Sequence, residues 1–364
     1  MRYEAIPASE IDEGLICAWE TFQCRQPCFD SPFLSPWFTK IVASVRDDIF
    51  VTVLEDGGEI VGFFPHQRRN RRALPVAGRL NDCQAVIVSP GTIWSPIDLL
   101  SASKLDVWHF DHQIAAQEEF SFFATRREQS PIIQLKNGFE DYVKQQKRPR
   151  SGRIEQLRRK QRKLRRENGG DCNVRFEATS LDDRALREVI ERKIKQCERT
   201  GHPVFFRERW AVELVERLLA QDQPGCVGAL SVLSVGEEIA AAHFGIRSRH
   251  VWHWWFPTYS PKWSQYSPGQ LLLLNLCEHV GDTTVQQHTI DLGRGDEPYK
   301  GHFANSAYPL IEGHVASKLP YKVVYSVKAS MASWARKRPA FQHLRTLRRK
   351  IKRSPAVPLF LRRL

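Results

Sequence analysis

Residues 288–305, "HTIDLGRGDEPYKGHFAN", put Asp291, Asp296 and Glu297 beside Arg294, Lys300 and Tyr299, with Gly293 and Gly295 at the bend. Glycines let a backbone turn sharply, and clustered acids, cations and a phenol can bind a charged ligand or move a proton. Tyr299, just past the strand-like "TIDL", could donate a proton to a leaving group, or pack on the element that follows with its hydroxyl in water. Asp291 at the strand end could serve as a base or could cap the Gly293–Gly295 turn. Arg294 and Lys300 could neutralise phosphate or substrate charge, or stand solvated at a helix start. Glu297 suits the positive end of a helix.

A second stretch lies just upstream, "WHWWFPTYSPKWSQYSPGQLLLL" over 252–274. An apolar strand ends at Pro257, and Ser267-Pro268-Gly269 opens a leucine-rich helix. Serine is a favourable cap and proline fits the first turn. Free amides and the dipole at such a start attract anions, phosphate above all. Trp252 and Trp254 share one strand face and Trp255 the other, so Trp252 and Trp254 are either core or the wall of an acceptor pocket. His243, in "AAAHFG", stands mid-strand, where it either faces the same cleft or is hydrogen-bonded in the core.

These stretches need elements to hold them. At 364 residues, with 42% hydrophobic and 26% charged residues, the chain is a globular protein of about two domains. "IFVTVLEDGGEIVGFF" reads as a hairpin turning at Asp56-Gly57-Gly58. Ahead of it come a strand at 3–6 and a helix capped by Ser9. Behind it come short strands near 71–80 and 85–88, strands in "LDVWHF" and "SPIIQL", and a helix at 138–146. The second half repeats the outline: a strand at 172–177, helices near 181–199 and 207–220, a hairpin turning at Gly236, a third strand, then helix, strand, helix, strand and a helix at 321–337. This order predicts an α+β fold with a mixed sheet, duplicated in architecture.

The net charge of +13 is local. Residues 144–166 hold twelve Lys/Arg against Glu155, and residues 336–364 hold eleven and no acid. The remainder has 31 basic against 40 acidic residues, so the body is mildly acidic and two segments meet something anionic. Ile154, Leu157 and Leu164 form a thin apolar seam on a basic helix. The tail sets Phe341, Leu344, Leu347 and Ile351 among its cations and suits an anionic membrane surface. No apolar run is long enough to span a membrane and the N-terminus has no signal-peptide core, which predicts a cytoplasmic protein, peripheral at most. The eight cysteines lack a CxxC pair. Cys24 and Cys28 stand one helical turn apart with no ligand pair nearby, so no metal is expected and the thiols are read as reduced and buried.

The order of strand, "YSPGQLLL" helix and Asp291-Leu292-Gly293-Arg294-Gly295-Asp296-Glu297-Pro298-Tyr299-Lys300 resembles the CelD (cellulose biosynthesis) acyltransferases of the GNAT superfamily, relatives of the FemAB ligases. The resemblance covers chiefly residues 150–315. It implies tandem GNAT-like domains: a degenerate one at 1–149, a basic helical linker at 150–170, an acyltransferase domain at 171–335 and a basic tail at 336–364. It implies acetyl-CoA or another acyl-CoA as co-substrate, slotted between strands 250–257 and 288–292. Gln265, Tyr266, Ser267, Gly269 and Gln270 would hold its pyrophosphate. Where the superfamily keeps a Q/RxxGxG/A loop, this chain has Gln265-Tyr266-Ser267-Pro268-Gly269-Gln270, with fewer free amides. Tyr299, Asp291 and His243 would be catalytic, with Trp252, Trp254, Arg294 and Lys300 binding the acceptor, an amine or hydroxyl on a small molecule or glycan precursor of envelope or exopolysaccharide synthesis. A FemAB-like transferase using aminoacyl-tRNA, its basic arm on RNA, and a non-catalytic polyanion or membrane adaptor are the alternatives.

Overall fold

The computed structural model describes residues 1–146, 152–223, 225–282 and 284–318. The first half runs β1 (Arg2–Pro7), α1 (Glu13–Arg25), α2 (Pro36–Ala43), β2 (Ile49–Asp56), β3 (Glu59–Arg69), β4 (Arg72–Leu74), β5 (Ile87–Val88), α3 (Pro96–Ala102), β6 (Val107–Ile114) and β7 (Ala124–Gln134). Helices α4 (Phe139–Gln146) and α5 (Gly152–Glu167) lead to the second half. That half runs β8 (Val174–Glu177), α6 (Asp183–Thr200), α7 (Arg209–Leu219), β9 (Val227–Val235), β10 (Glu238–Arg247), β11 (Val251–Tyr259), α8 (Pro268–Val280), β12 (Thr289–Asp291), α9 (Pro298–Phe303) and β13 (Ser306–Ala316).

The strands form one sheet, ordered β1-β2-β3-β4-β6-β13-β7-β12-β11-β10-β9-β8, with β5 beside β3. Only β4–β6 and β11–β12 pair in parallel among the named strands; the others are antiparallel. The sheet is therefore mixed and mostly antiparallel, as the α+β reading expects. Its centre is an exchange. Strand β7 of the first half lies against β12, and β13 of the second half crosses over to lie against β6. The two exchanged strands also pair with each other from Ser306↔Ile132 to Gly313↔Ala124.

Side-chain alternation divides the second half into two cores. Leu230 and Val232 of β9 face the core of α6 and α7, which is continuous with the first half through α1, α2 and α3. Ala229, Leu233 and Val235 face the other core, under α4, α5 and α8. The basic helix docks by the seam its sequence predicts: Leu157 and Leu164 are fully buried and Ile154 nearly so. Each such side chain contributes about 1.5–3 kcal/mol of burial, enough to anchor a helix whose other faces are cationic.

Several local expectations change. Asp12, not Ser9, caps α1, its Oδ1 accepting the Leu15 amide at 2.8 Å. The stretch 71–80 yields only the three-residue β4 and a 3-10 turn at Gly78–Leu80. Cys17, Cys24, Cys28 and Cys172 are exposed, against the expectation of buried thiols; Cys83, Cys226 and Cys277 are buried. No group of metal-ligating side chains occurs among the described residues, and none of their helices is long and apolar enough to cross a membrane. The helix expected at 321–337 and the amphipathic tail at 336–364 lie outside the described residues.

Candidate active site

Strands β11 and β12 stay together for three rungs: Val251↔Thr289, Trp252↔Ile290 and His253↔Asp291. Beyond that last rung they part. Strand β11 runs on to Tyr259, while the other chain turns away at Gly293, whose φ of 69° lies in the region glycine tolerates best. The opening faces the C-terminal ends of two parallel strands, where α/β sheets place ligands.

A bulge shapes the β11 side. The β10–β11 register slips between Phe244↔Phe256 and Ile246↔His253, setting Trp254 and Trp255 against Gly245 alone. The Trp255 amide this displaces from the ladder donates to Nε2 of His243 at 3.1 Å. His243 is fully buried, its ring stacked on Trp254 at 3.9 Å, and burial first, then the nearby His253 charge, hold it neutral. Its position therefore serves the bulge, and it does not line the cleft described below.

Asp291 sits at the fork. Its Oδ1 accepts the Gly293 amide at 2.9 Å, the turn-capping role that its sequence position allowed, and the Ser130 hydroxyl at 2.5 Å. Its Oδ2 faces Nδ1 of His253 at 3.4 Å. Nε2 of His253 meets Oδ2 of Asp82, from the loop before β5, at 3.0 Å. His253 is 1% exposed and Phe33 closes over it edge-on. Burial alone would lower its pKa; Asp291 and then Asp82 overcome that and raise it to about 9, so it is an imidazolium at neutral pH. Burial pushes Asp291 upward, but His253, Ser130 and the Gly293 amide hold it below the usual carboxylate range.

The series continues into the first half. Oδ1 of Asp82 lies 3.7 Å from Nε2 of His112, whose Nδ1 meets Oδ1 of Asp111 at 3.0 Å. Gln84 fixes Asp111 by donating to its carboxylate at 2.8 Å and accepting its amide at 3.0 Å. Burial raises the Asp111 pKa, yet His112, Gln84 and the Arg294 charge leave it lowered. Asp82, Asp111 and His112 open on a cleft of about 560 Å³ whose far wall is Lys193, Phe206 and Phe256. Arg294 lines it too, donating to the Asp111 carbonyl at 2.8 Å.

The other expected residues sit apart from this cleft. Lys300 is 5% exposed and spends its ammonium on the carbonyls of Gly293 and Arg294 and on Glu297, at 3.0, 3.2 and 3.0 Å. It braces the glycine turn. Lys300→Met is expected to cost about 3 kcal/mol, read as a lower urea midpoint, because those acceptors lose their shared cation. Tyr299 is half-buried on the α8 side; burial, then Glu297, raise its pKa well above the ordinary tyrosine value, while the Trp254 side chain works against the shift. Trp252 is closed in the same core, with Arg247 over its ring at 5.6 Å.

At the start of α8, Ser267 does not cap with its side chain. It adopts φ 58°, ψ 53°, and its hydroxyl receives Lys160 at 2.7 Å. Gln270 accepts Arg153 at 3.0 and 2.6 Å. Tyr266 is buried, its hydroxyl on Glu167 at 2.8 Å, while Gln265 is exposed and Gly269 half-buried. Helix α5 thus lays two cations against the amide end of α8. A second cleft, of about 1150 Å³, opens at the other end of β11 and β12, beside Arg247 and the His250–Asp30 pair.

Parallel strands that part at a bulge, with a titratable cluster in the fork, give a GNAT fold, and the second half of the chain carries an acetyltransferase domain. Residues 151–301 match the model of the acetyltransferase (GNAT) domain family. FemX resembles the whole chain in fold, with a TM-score of 0.57 at 9% identity, covering 90% of this chain and 100% of FemX. The C-terminal domain (DUF2156) of a putative lysylphosphatidylglycerol synthetase from Agrobacterium fabrum gives 0.51 at 11% identity, covering 86% of this chain and 95% of its own. No curated protein matches the sequence.

Three residues of the cluster escape sequence reasoning for one reason. Asp82, Asp111 and His112 lie in the half taken as degenerate, some 180–210 positions from Asp291. His253 stands among tryptophans in "WHWW", where the aromatic pattern dominates. A charged type alternating with buried ones on an inner strand was the available signal.

Proposed function

We propose that the chain transfers an acyl group from acetyl-CoA or another acyl-CoA to an amine or hydroxyl of a small molecule or glycan precursor. The observation that carries this reading is the parting of β11 and β12 immediately after the His253↔Asp291 rung. The donor's pantetheine would enter from the α8 side, its phosphates drawn by the amide end of α8 and by Arg153 and Lys160. Ser267, Gly269 and Gln270 would border those phosphates; Gln265 is near enough in sequence to join them, and Tyr266 shapes the turn. Tyr299, kept protonated by burial and Glu297, is suited to protonate the departing thiolate. Asp291 orients His253, and Arg294 meets the acceptor. The motif resemblance to CelD proteins supports envelope or exopolysaccharide chemistry as the setting, in the cytoplasm or at an anionic membrane face.

Acetyl-CoA, CoA and longer acyl-CoAs are expected to raise the melting temperature, and thiol release should follow on adding acceptor. Tyr299→Phe should lower kcat about 100-fold while keeping the CoA-induced shift. An absence of both shift and thiol release at millimolar acyl-CoA would remove this reading. The second reading, an aminoacyl-tRNA donor, draws on the outer face of α5, where Arg159, Arg162 and Arg166 are 75%, 64% and 77% exposed beside the α8 start. It expects tRNA binding that weakens steeply with salt.

A further inference from the structure

Two hydrogen-bond acceptors with no donor between them face the cleft at its junction with the strand fork. Oδ2 of Asp82 is committed to the buried His253, which leaves Oδ1 directed at His112. The Asp111 carboxylate at Nδ1 of His112 selects the tautomer with a proton on that nitrogen, so Nε2 presents a lone pair. The 3.7 Å between Oδ1 and Nε2 is too long for a hydrogen bond, yet suits one N–H or O–H group donating into the pair from the cleft. Elsewhere in the series, Oδ1 of Asp111 accepts Gln84 and faces His112, its backbone carbonyl accepts Arg294, and Oδ1 of Asp291 accepts Ser130 and the Gly293 amide.

We propose that Asp82 and His112, both from the first half of the chain, are the general base of the reaction, with Asp111, His253 and Asp291 as positioning residues. This deepens the acyl-transfer reading and rests on it. Neither base residue lies in the segment 151–301 that matches the acetyltransferase domain.

The proton on the acceptor's nucleophilic N or O passes to Nε2 of His112 or Oδ1 of Asp82. The electron pair so freed forms the bond to the thioester carbonyl carbon. The tetrahedral intermediate collapses by breaking the C–S bond, and sulfur leaves with that pair and is protonated. The imidazolium of His253 stays charged throughout and holds Asp82 in place; it accepts nothing. Imidazolium character gained by His112 is balanced by Asp82 and Asp111 on either side, with Arg79, Arg294 and Lys193 as cations and His202 and Cys197 as further titratable groups lining the same space.

The test compares the unmodified full-length chain with Asp82→Asn, His112→Gln and His112→Ala. Donors are acetyl-CoA and a charged tRNA; acceptors are glucosamine, ethanolamine and lysine with their hydroxyl counterparts glucose, ethylene glycol and 6-hydroxynorleucine. His112→Gln and Asp82→Asn should each lose 100-fold or more in kcat/KM at neutral pH while keeping the donor-induced melting shift. The lost rate should return as pH rises toward the acceptor's own ionisation, and imidazole should restore part of the activity of His112→Ala. A merely structural role would give neither recovery. Values within threefold of the unmodified chain, or a loss that neither alkaline pH nor imidazole relieves, would overturn the assignment. Turnover of charged tRNA alone would defeat the acyl-CoA reading and leave the base to be judged in the same variants with that donor. If neither donor reacts with any acceptor, both ideas fall.

Discussion

His253→Ala is expected to destabilise the protein by about 3–5 kcal/mol and to abolish turnover, because it strands two carboxylates in a site built around one cation. Asp291 is 7% exposed and cannot exchange His253 for water without rearrangement of the strand fork. The same feature sets a pH dependence. His253 has a folded pKa of about 9 against an ordinary 6.5, so it binds its proton more tightly when folded. Its contribution to stability is fully present below about pH 6.5 and is lost as pH rises through about 9. Asp291, depressed by the same contact, contributes above the ordinary carboxylate range and loses that contribution in acid. Urea midpoints measured from pH 6 to pH 10 should fall across the alkaline half for the unmodified chain and lie flatter for His253→Gln. A midpoint that rises with pH, or is equally flat in both proteins, would show that His253 is not held as a cation.

Gly245→Ala is expected to have a comparable effect from a different cause. A methyl group on Gly245 would meet the His253 carbonyl and the His243 ring, both inside the bulge. Neither can yield: the carbonyl is backbone of β11, and His243 holds the Trp255 amide. The strain should cost at least about 1–3 kcal/mol, and relief requires β11 to move from β10, which displaces His253. The variant should melt lower and, where still folded, lose activity by an order of magnitude or more. Near-normal turnover would mean that the bulge is not needed to aim β11 into the gap.

Much of the frame could be read from the sequence because its signals are local. The basic seam of Ile154, Leu157 and Leu164, the hairpin at Gly57-Gly58 and the leucine-rich helix after Pro268 all obey their own periodicities. Helices α2 and α3 carried the same Ser-Pro signal, and there Ser35 and Ser95 cap by accepting amides, but apolar neighbours on both sides hid them. At 267 the identical signal misleads: Ser267 is left-handed and its hydroxyl turns to Lys160, a partner more than 100 residues away. The site was legible only where it lay within one loop. Asp291 and the glycine turn stand out, whereas Asp82, His112 and His253 meet only once the sheet is assembled, and no spacing rule spans that distance.

The crossing of β7 and β13 has a consequence for how this molecule can be divided. A fragment cut at the basic helix keeps the fingerprint of an acetyltransferase but surrenders the neighbour that covers β12, leaving a raw edge open to other chains. The companion fragment forfeits β13, the strand that fills its own middle. The two halves are thus one folding piece, and neither is a spare part that could be cut away without breaking the sheet of the other.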